Sequence, residues 1–428
     1  MLFNLKIFCG ALQELIKNNI NLQSDASFFL AMKKIFLLFF AVLSLNIVSA
    51  QLIKGDERLD KYLPLLENKR VGVVCNHTSV VNGVHLADTL LSKGVNITIL
   101  FTPEHGLKGT QEAGKLINGI SYYKDSIKVI SLYGKNKKPT AEQMNETDII
   151  LFDLQDVGCR FYTYISTLEY EMQACIETGK KLIVLDRPNP NNFVAGPVLK
   201  DDCRSFVGMQ NIPICYGLTI GEYACMILDI ELETSDLDID VLDKKDILTV
   251  IEMENYQRDS IYALDVYPSP NLQSMRAVKN YPTLCLFEGT PISVGRGTQR
   301  PFEIIGFPGY NKKKINPISN IQNQKSEIIS FTPTAIKGVA ENPPFKDKLC
   351  RGEEITVQSD EIELEYIINM YKAYGRKDGF FTRMFDLLTG DKSIKEQIIA
   401  GKSAEEIRKS WEKDLNAYEQ IRRRYLIY

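Results

Sequence analysis

The sequence predicts an α/β fold in which a doubly wound parallel β-sheet carries helices on both faces, followed by a smaller α+β domain. Between residues 70 and 190, short apolar segments rich in β-branched residues alternate with segments of helical periodicity. Strands that pack against helices on both faces have this nearly continuous apolar character. The alternation stops after about residue 200, which indicates a second domain of different architecture.

Five strands are predicted in the first region, at residues 70–75, 96–101, 128–132, 147–152 and 181–185. A helix is predicted at 161–178, because its apolar residues recur at three- and four-residue spacing and Gly179 follows as a stop signal. A shorter helix is predicted at 85–93, before Gly94. This order of strands and helices is typical of a parallel sheet built from crossover units.

The second region has fewer regular patterns. Predicted helices cover residues 220–229, 361–374, 379–389 and 404–425, and one strand covers 237–242. Residues 267–308 are rich in Pro, Gly, Thr and Ser and are predicted to form long ordered loops. The polar segment 311–325 is interpreted as an exposed connection.

The segment 32–50 has the features of a secretory signal peptide. It has a basic head, an apolar run from Ile35 to Val48, and small residues at Ser49 and Ala50. The apolar run is short for a membrane span, which needs about 20 residues. We therefore expect an exported protein, periplasmic or secreted, without a stable membrane anchor after cleavage.

Charge and composition argue against several classes of function. The formal net charge is -3, which is close to balance, so we expect no nucleic-acid partner. No GxGxxG motif follows the first strand, and no spacing of His, Cys and Asp requires a metal site. We predict neither a cofactor nor a metal. Buried free thiols are expected for the cysteines, although export would permit disulfides.

Polar side chains follow four of the predicted strands. In chain order they are Asn76, Glu104, His105, Asp153, Asp156 and Arg187. Ligands of an open parallel sheet bind beyond the carboxyl ends of its strands. We therefore expect these groups to line one site, with Asn76, His105 and Arg187 in contact with a ligand.

Glu104 is the strongest candidate for a catalytic acid. Pro103 restricts the backbone before it, and Gly106 permits a tight turn after it. A carboxyl group against apolar walls has a raised pKa and can donate a proton near neutrality. The alternative is a capping or salt-bridged glutamate. Asp153 and Asp156 are candidates for a second catalytic carboxylate, and helix capping is the alternative for either.

Cationic and aromatic side chains extend the candidate site. Arg160 and Tyr162 lie at the start of the helix at 161–178, where a helix N-terminus beside an arginine suits an anion. Arg296 and Arg300 lie in a glycine-rich loop that suits an anionic or hydroxylated ligand. Surface ion pairing and ordinary turn chemistry are the alternatives.

Together these peptides resemble the exo-β-N-acetylmuramidase (NamZ-like) family of glycoside hydrolases. The resemblance rests on CNHTSV at 75–80, LFTPEHGLKGTQEAG at 100–114, FDLQDVGCRFYTYISTL at 152–168, LDRPNPN at 185–191 and LFEGTPISVGRGTQRPFEIIG at 286–306. It extends from about residue 53 to the end of the chain. It implies a Rossmann-like N-terminal domain with the active site at its rim, and release of N-acetylmuramic acid from the non-reducing end of peptidoglycan fragments.

The resemblance also implies roles for individual residues. Glu104 matches the family's proposed catalytic glutamate. The other matched positions become candidate pocket residues: Asn76, Asp153, Asp156, Arg160, Tyr162, Arg187, Glu288, Arg296 and Arg300. Tyr216 stands where many members carry His, which puts a role of that side chain in sugar binding in doubt.

The domain division follows from these patterns. Residues 1–31 are interpreted as an upstream extension outside the fold, and residues 32–50 as the signal peptide. Residues 51–200, or to about 235, form the predicted Rossmann-like catalytic domain. Residues 201–428 form an auxiliary α+β domain whose loops contribute to the cleft. The oligomeric state is left open.

The expected substrate sets a requirement for charge. N-acetylmuramic acid carries a lactyl carboxylate, and N-acetylglucosamine does not. A bidentate arginine would discriminate between them, and the candidates are Arg160, Arg187, Arg296 and Arg300.

For the reaction, we predict that Glu104 protonates the departing oxygen. Attack then comes from water activated by Asp153 or Asp156, or from the acetamido group of the substrate, and the first route is favoured. Two other functions remain open. One is a non-catalytic cell-wall sugar-binding protein, which needs no acid at residue 104, and the other is a different exported hydrolase. No GxSxG motif supports an esterase.

Overall fold

The structure, a computed structural model, describes residues 51–110, 121–124, 126–234, 243–311, 328–357 and 359–428. The predicted extension and signal peptide lie outside these residues. So do the strand predicted at 237–242 and nearly all of the predicted connection at 311–325. In the described parts of the chain, no helix has both the length and the apolar character needed to cross a bilayer.

The strands, in chain order, are β1 (Arg70–Cys75), β2 (Val80–Val81), β3 (Val84–His85), β4 (Asn96–Thr102), β5 (Ser121–Tyr123), β6 (Ile127–Ser131), β7 (Ile149–Asp153), β8 (Lys181–Leu185), β9 (Val194–Ala195), β10 (Cys215–Tyr216), β11 (Leu248–Ile251), β12 (Ile304–Phe307), β13 (Ile328–Phe331) and β14 (Cys350–Glu354). The α-helices are α1 (Leu59–Leu66), α2 (Leu86–Ser92), α3 (Ala141–Asn145), α4 (Tyr164–Thr178), α5 (Ile220–Thr234), α6 (Lys244–Ile247), α7 (Met275–Leu284), α8 (Leu364–Ala373), α9 (Arg383–Thr389), α10 (Ser393–Ile399), α11 (Ala404–Lys409) and α12 (Glu412–Arg422).

A seven-stranded sheet forms the centre of the N-terminal part, in the order β11-β8-β7-β1-β4-β6-β5. Neighbouring strands pair parallel, except that β5 runs antiparallel to β6. From β1 the chain builds outward through β4 and β6, and then returns to build β7, β8 and β11 on the other side. The parallel strands thus have the Rossmann order, with the reversal between β1 and β7. The predicted α/β class is confirmed.

Helices cover both faces of this sheet, as the apolar strands predict. Val71 and Val73 of β1 pack with Tyr62 of α1 and Leu86 of α2 on one face. Val74 points to the other face and belongs to a core that includes residues of α4 and α5. Successive strand residues face opposite sides, so one short apolar strand supplies both cores. Helix α4 ends at Gly179, which has the left-handed conformation (φ 62°) of a helix stop.

The C-terminal part contains a small antiparallel sheet, β12-β14-β13, and the helices α8 to α12. Its apolar side chains, including Ile305, Phe385 and Trp411, belong to the same core that covers the α4 face of the large sheet. The two parts are therefore joined by continuous hydrophobic packing. Strand β11 places residues up to Ile251 in the large sheet. The domain boundary stays a prediction.

Two predicted elements were wrong. Residues 267–308 are not all loop, because α7 and β12 form within them. Ser274 caps α7 by accepting a hydrogen bond from the Ala277 amide at 3.0 Å, and Pro282 lies in the last turns of the helix. Burial of one helix face outweighs a composition that favours turns. The single helix predicted at 404–425 is divided into α11 and α12 at Ser410 and Trp411.

Candidate active site

The polar peptides predicted from the sequence meet where the sheet reverses its winding. Cys75 of β1 pairs with Asp153 of β7, so Asn76 and the peptide after Asp153 follow adjacent strand ends. On its other side β1 pairs with β4, which leads into Glu104. Ligands of open α/β sheets bind at this switch point. The structure therefore brings the predicted strand ends together at one edge.

Glu104 lies in a tight turn at the end of β4 and is half-buried. The turn requires left-handed backbone at two consecutive residues, His105 (φ 73°) and Gly106 (φ 69°). This conformation is unfavourable for a histidine, and such strain is often found at functional sites. The His105 side chain is buried.

Two hydroxyl groups hold the Glu104 carboxyl group. Thr163 Oγ1 donates a hydrogen bond to Glu104 Oε2 at 2.9 Å. The Tyr133 hydroxyl donates a second bond, and burial together with the Glu104 carboxylate raises the pKa of Tyr133. Tyr133 therefore keeps its proton and remains a donor. Thr163 precedes α4 and Tyr133 follows β6, so two other elements position this carboxyl group.

Asn76 fixes the peptide after β1 rather than facing solvent. Its Oδ1 accepts hydrogen bonds from the amide and the hydroxyl of Thr78, at 2.9 and 2.7 Å. Its Nδ2 donates to the Tyr164 hydroxyl at 2.8 Å. Both Tyr162 and Tyr164 donate to the carbonyl of Pro268 at 2.9 Å. Asn76 and Tyr162 thus belong to a buried network that holds the loop at Pro268 against the site.

Asp153 and Arg187 form a buried ion pair. Arg187 Nε and Nη2 donate to the two Asp153 oxygens at 2.6 and 2.9 Å, and Nη2 also donates to Asp56 at 2.7 Å. The Arg187 side chain is 4% exposed and the two aspartates are 0% exposed. A guanidinium group that already pairs with two carboxylates has little capacity for another anion. Burial raises the pKa of Asp56 to about 6, although Arg187 opposes the shift.

Asp56 was not predicted from the sequence. It lies before α1, over a hundred residues from Arg187 along the chain. No strand precedes it in the part of the chain that the structure describes, and no local motif marks it as a partner of a distant arginine.

Asp156 is buried, and only one of its two carboxyl oxygens accepts hydrogen bonds from the described residues. Its Oδ2 accepts hydrogen bonds from the Gly158 amide at 2.6 Å and from the Tyr216 hydroxyl at 2.5 Å. Its Oδ1 has no hydrogen-bond partner within the described residues. Burial raises the pKa of Asp156 to about 6, although hydrogen bonds from Tyr216 and from the backbone of Gly158 and Val157 lower it. Of the two predicted aspartates, only Asp156 has a carboxyl oxygen without a hydrogen-bond partner among the described residues.

Arg160 is enclosed by protein. Its guanidinium group donates four hydrogen bonds of 2.7 to 2.9 Å to backbone carbonyls, those of Pro197, Ile212, Leu388 and Thr389. It is 0% exposed, and burial lowers its pKa to about 10. A role for Arg160 in substrate binding stays a prediction, but this placement favours a structural role.

The remaining predicted residues, Glu288, Arg296 and Arg300, lie in the segment between α7 and β12. Arg296 pairs with Glu288 and lies over the Phe302 ring, 5.1 Å from its centre. Arg300 is more exposed and pairs with Glu354 of β14 at 2.5 Å. Both arginines are already engaged by carboxylates.

An aromatic surface next to Glu104 was not predicted from the sequence. We define the aromatic surface as the half-buried rings of Tyr133, Phe206 and Tyr170. The ring centres of Tyr133 and Phe206 are 6.0 Å apart, and Phe206 stacks on Tyr170 at 6.2 Å. Lys137 Nζ lies 4.5 Å from the centre of the Phe206 ring. Tyr133 follows β6, so its position after a strand was a signal in the sequence that it lies near the site.

The described residues contain no group of three or more His, Cys, Asp or Glu side chains that could hold a metal ion. The cysteines in this part of the chain are free thiols, and all but the half-buried Cys225 are buried.

Comparisons with known proteins identify the family. The family descriptions "Exo-beta-N-acetylmuramidase NamZ, N-terminal" and "C-terminal" match residues 71–276 and 279–428. The chain is 37% identical over 391 residues to the peptidoglycan β-N-acetylmuramidase NamZ of Bacillus subtilis (strain 168). The aligned residues cover 87% of this chain and 90% of that protein.

Two crystal structures of DUF1343 family proteins from Bacteroides fragilis are also similar. One is 38% identical with a TM-score of 0.75, covering 89% of this chain and 99% of the other. The second is 28% identical with a TM-score of 0.74, covering 88% and 99%. The chain therefore belongs to the NamZ exo-β-N-acetylmuramidase family of glycosidases.

Proposed function

We propose that this protein releases N-acetylmuramic acid from the non-reducing end of peptidoglycan fragments, with Glu104 as the general acid. Family membership supports a glycosidase, and the Bacillus subtilis relative is named for action on peptidoglycan. The observation that carries the choice of acid is the placement of Glu104. It is a half-buried carboxyl group at the switch-point edge, oriented by Thr163 and Tyr133.

Asp156 is the second carboxylate in this proposal. Arg187 occupies both oxygens of Asp153, whereas Asp156 Oδ1 has no partner in the described residues. Burial raises the pKa of Tyr164, and the charges of Glu104 and Asp156 raise it further. The Tyr164 hydroxyl is therefore close enough to both Glu104 and Asp156 to be affected by their charges, which supports a single site that contains both carboxyl groups.

The proposed reaction has two roles for carboxyl groups. Glu104 protonates the glycosidic oxygen as the bond to the anomeric carbon breaks. Asp156, with its pKa of about 6, is largely ionised at neutral pH and accepts a proton from the attacking water. Attack by the acetamido oxygen of the substrate is the second route, with Asp156 stabilising the positive charge. Inversion at the anomeric carbon, observed by NMR, would exclude this second route.

Two disaccharides of N-acetylmuramic acid and N-acetylglucosamine, joined in either order, test the function directly. Free N-acetylmuramic acid should appear only when that sugar is at the non-reducing end. Glu104→Gln should fold normally and lose about 10²- to 10⁴-fold in kcat/KM on aryl muramides with poor leaving groups, as expected for loss of a general acid. The exposed Glu142 provides the control Glu142→Gln. Binding without turnover by the unaltered protein would instead support a sugar-binding protein.

We also propose that the protein is exported, to the periplasm or the medium. The signal-like segment at 32–50 supports this location. N-terminal sequencing of the mature protein should find Gln51 at its start, and a retained segment 32–50 would contradict cleavage.

A further inference from the structure

We propose that Lys137, with the aromatic surface, forms the subsite that recognises the lactyl carboxylate of N-acetylmuramic acid. The inference rests on the proposed function and identifies the group that sets its specificity. Lys137 Nζ lies 4.5 Å from the centre of the Phe206 ring. No carboxylate of the described residues is within ion-pair distance of it. Its charge is therefore available to a ligand.

The arginines expected to bind this carboxylate are already engaged. Their partners are backbone carbonyls for Arg160, Asp153 and Asp56 for Arg187, Glu288 for Arg296, and Glu303 and Glu354 for Arg300. Binding a further anion would require such contacts to break or to be shared. Breaking a buried ion pair is unfavourable because it leaves a charge without a partner. Lys137 needs no such exchange.

Contacts connect Lys137 to the proposed acid. The Tyr133 hydroxyl donates to Glu104, and the Tyr133 ring lies 6.0 Å from the Phe206 ring over which Lys137 is placed. The aromatic surface therefore extends from the acid to the cation. A sugar whose C–H face packs on these rings, with its anomeric carbon at Glu104, directs the lactyl group on C3 along the same surface.

The loop that carries Phe206 is held in place. Ser166 Oγ donates to the Phe206 carbonyl at 2.8 Å. Gln210 donates to Glu169 Oε2 at 2.8 Å, and Tyr223 donates to Glu169 Oε1 at 2.5 Å. Ser166 and Glu169 both lie on α4, so this helix holds the loop that contains Phe206 and Gln210. A ring held in advance loses little freedom when a sugar binds.

A lysine ammonium group discriminates by charge. Its three N–H groups donate to a carboxylate, and the Phe206 ring favours a cation at this position in the absence of ligand. N-acetylglucosamine carries a hydroxyl group in place of the lactyl ether and gains no ion pair. A charge-assisted contact of this kind corresponds to a preference of about 10- to 100-fold.

The test compares Lys137→Gln with the unaltered protein on an aryl muramide and on its lactyl methyl ester. The variant should lose about 10- to 100-fold in kcat/KM on the free acid, mainly through KM, and little on the ester. Lys137→Arg should restore most of the preference. Phe206→Leu should lower kcat/KM equally for the free acid and the ester, because packing of the sugar on a ring does not depend on the carboxylate.

Lys138→Gln is the matched control, because Lys138 pairs with Glu177 at 2.5 Å and not with the aromatic surface. Equal loss on acid and ester in Lys137→Gln, or no loss on either, would overturn the inference. Failure of the unaltered protein to hydrolyse the muramide would instead overturn the proposed function. The two failures are therefore distinguishable.

Discussion

Tyr216 donates a hydrogen bond of 2.5 Å to Asp156, and this contact influences how readily the buried carboxyl group ionises. Tyr216 is itself buried, so its hydroxyl serves Asp156 rather than solvent. Burial raises the pKa of Asp156, and the donors Tyr216 and Gly158 keep it near 6. Without such donors, a carboxyl group in this position would hold its proton to higher pH.

Replacing Tyr216 by Phe should therefore shift the pH dependence of activity. The pKa of Asp156 rises above about 6 when the donor is lost, and Asp156 is active as a base only when ionised. The acidic limb of the kcat/KM profile should move to higher pH, while the alkaline limb stays in place. Tyr223→Phe is the control, because Tyr223 donates to Glu169. An acidic limb that does not move in Tyr216→Phe would argue against Asp156 as the base.

At the scale of secondary-structure elements, Arg160 links the start of α4 to the end of α9. It donates to the carbonyls of Leu388 and Thr389 in α9 and to two carbonyls between β9 and α5. Gly390 follows α9, and a Cβ atom there would lie 2.5 Å from Arg160 Nη2. The glycine is therefore needed for the guanidinium group to fit against the helix end.

Arg160→Lys tests this structural role. A lysine has one nitrogen and cannot bond to all four carbonyls, so buried acceptors lose their partners. We expect the free energy of unfolding to fall by about 2–4 kcal/mol in urea titrations. The KM of the folded variant should be unchanged. Arg204→Lys, at an exposed arginine, is the control. A raised KM with unchanged stability would favour the substrate-binding role predicted from the sequence.

For the whole molecule, Glu171 links stability to pH. It lies in α4, is buried, and has no hydrogen-bond partner on either carboxyl oxygen within the described residues. Burial raises its pKa to about 8, far above the usual range of a glutamate. The unfolded chain releases this proton at lower pH than the folded protein does. Stability is therefore highest below about pH 4.5 for this group and is lost as pH rises toward 8.

Glu171→Gln should remove this dependence, since glutamine carries no titratable proton. The difference in unfolding free energy, variant minus unaltered protein, should increase by at most about 3.5 kcal/mol between pH 5 and pH 8. Urea unfolding at several pH values measures it. Glu177→Gln, an exposed residue of the same helix, should show no comparable trend. Parallel curves for Glu171→Gln and the unaltered protein would contradict the assignment.

The elements of the α/β part and the polar peptides between them could be predicted from the amino-acid sequence. The strands at β1 and β8 have the predicted bounds, and α4 ends at the predicted Gly179. These features depend on periodicity and turn chemistry within short stretches of chain. The topology then brings Glu104, Asp153 and Asp156 to one edge, since parallel strands end on the same side. The family could also be predicted, because its peptides are long and specific.

Which charged groups can bind a ligand depends on how the folded chain packs. Arg160, Arg187 and Lys137 are all cations near strand or helix ends in the sequence. The first is enclosed by carbonyls, the second is held by two aspartates, and the third rests on an aromatic ring. These differences arise from contacts between segments far apart along the chain, as with Asp56 and Arg187. The burial and ion pairing of a charged side chain depend on the packed molecule, and they cannot be predicted from local sequence patterns.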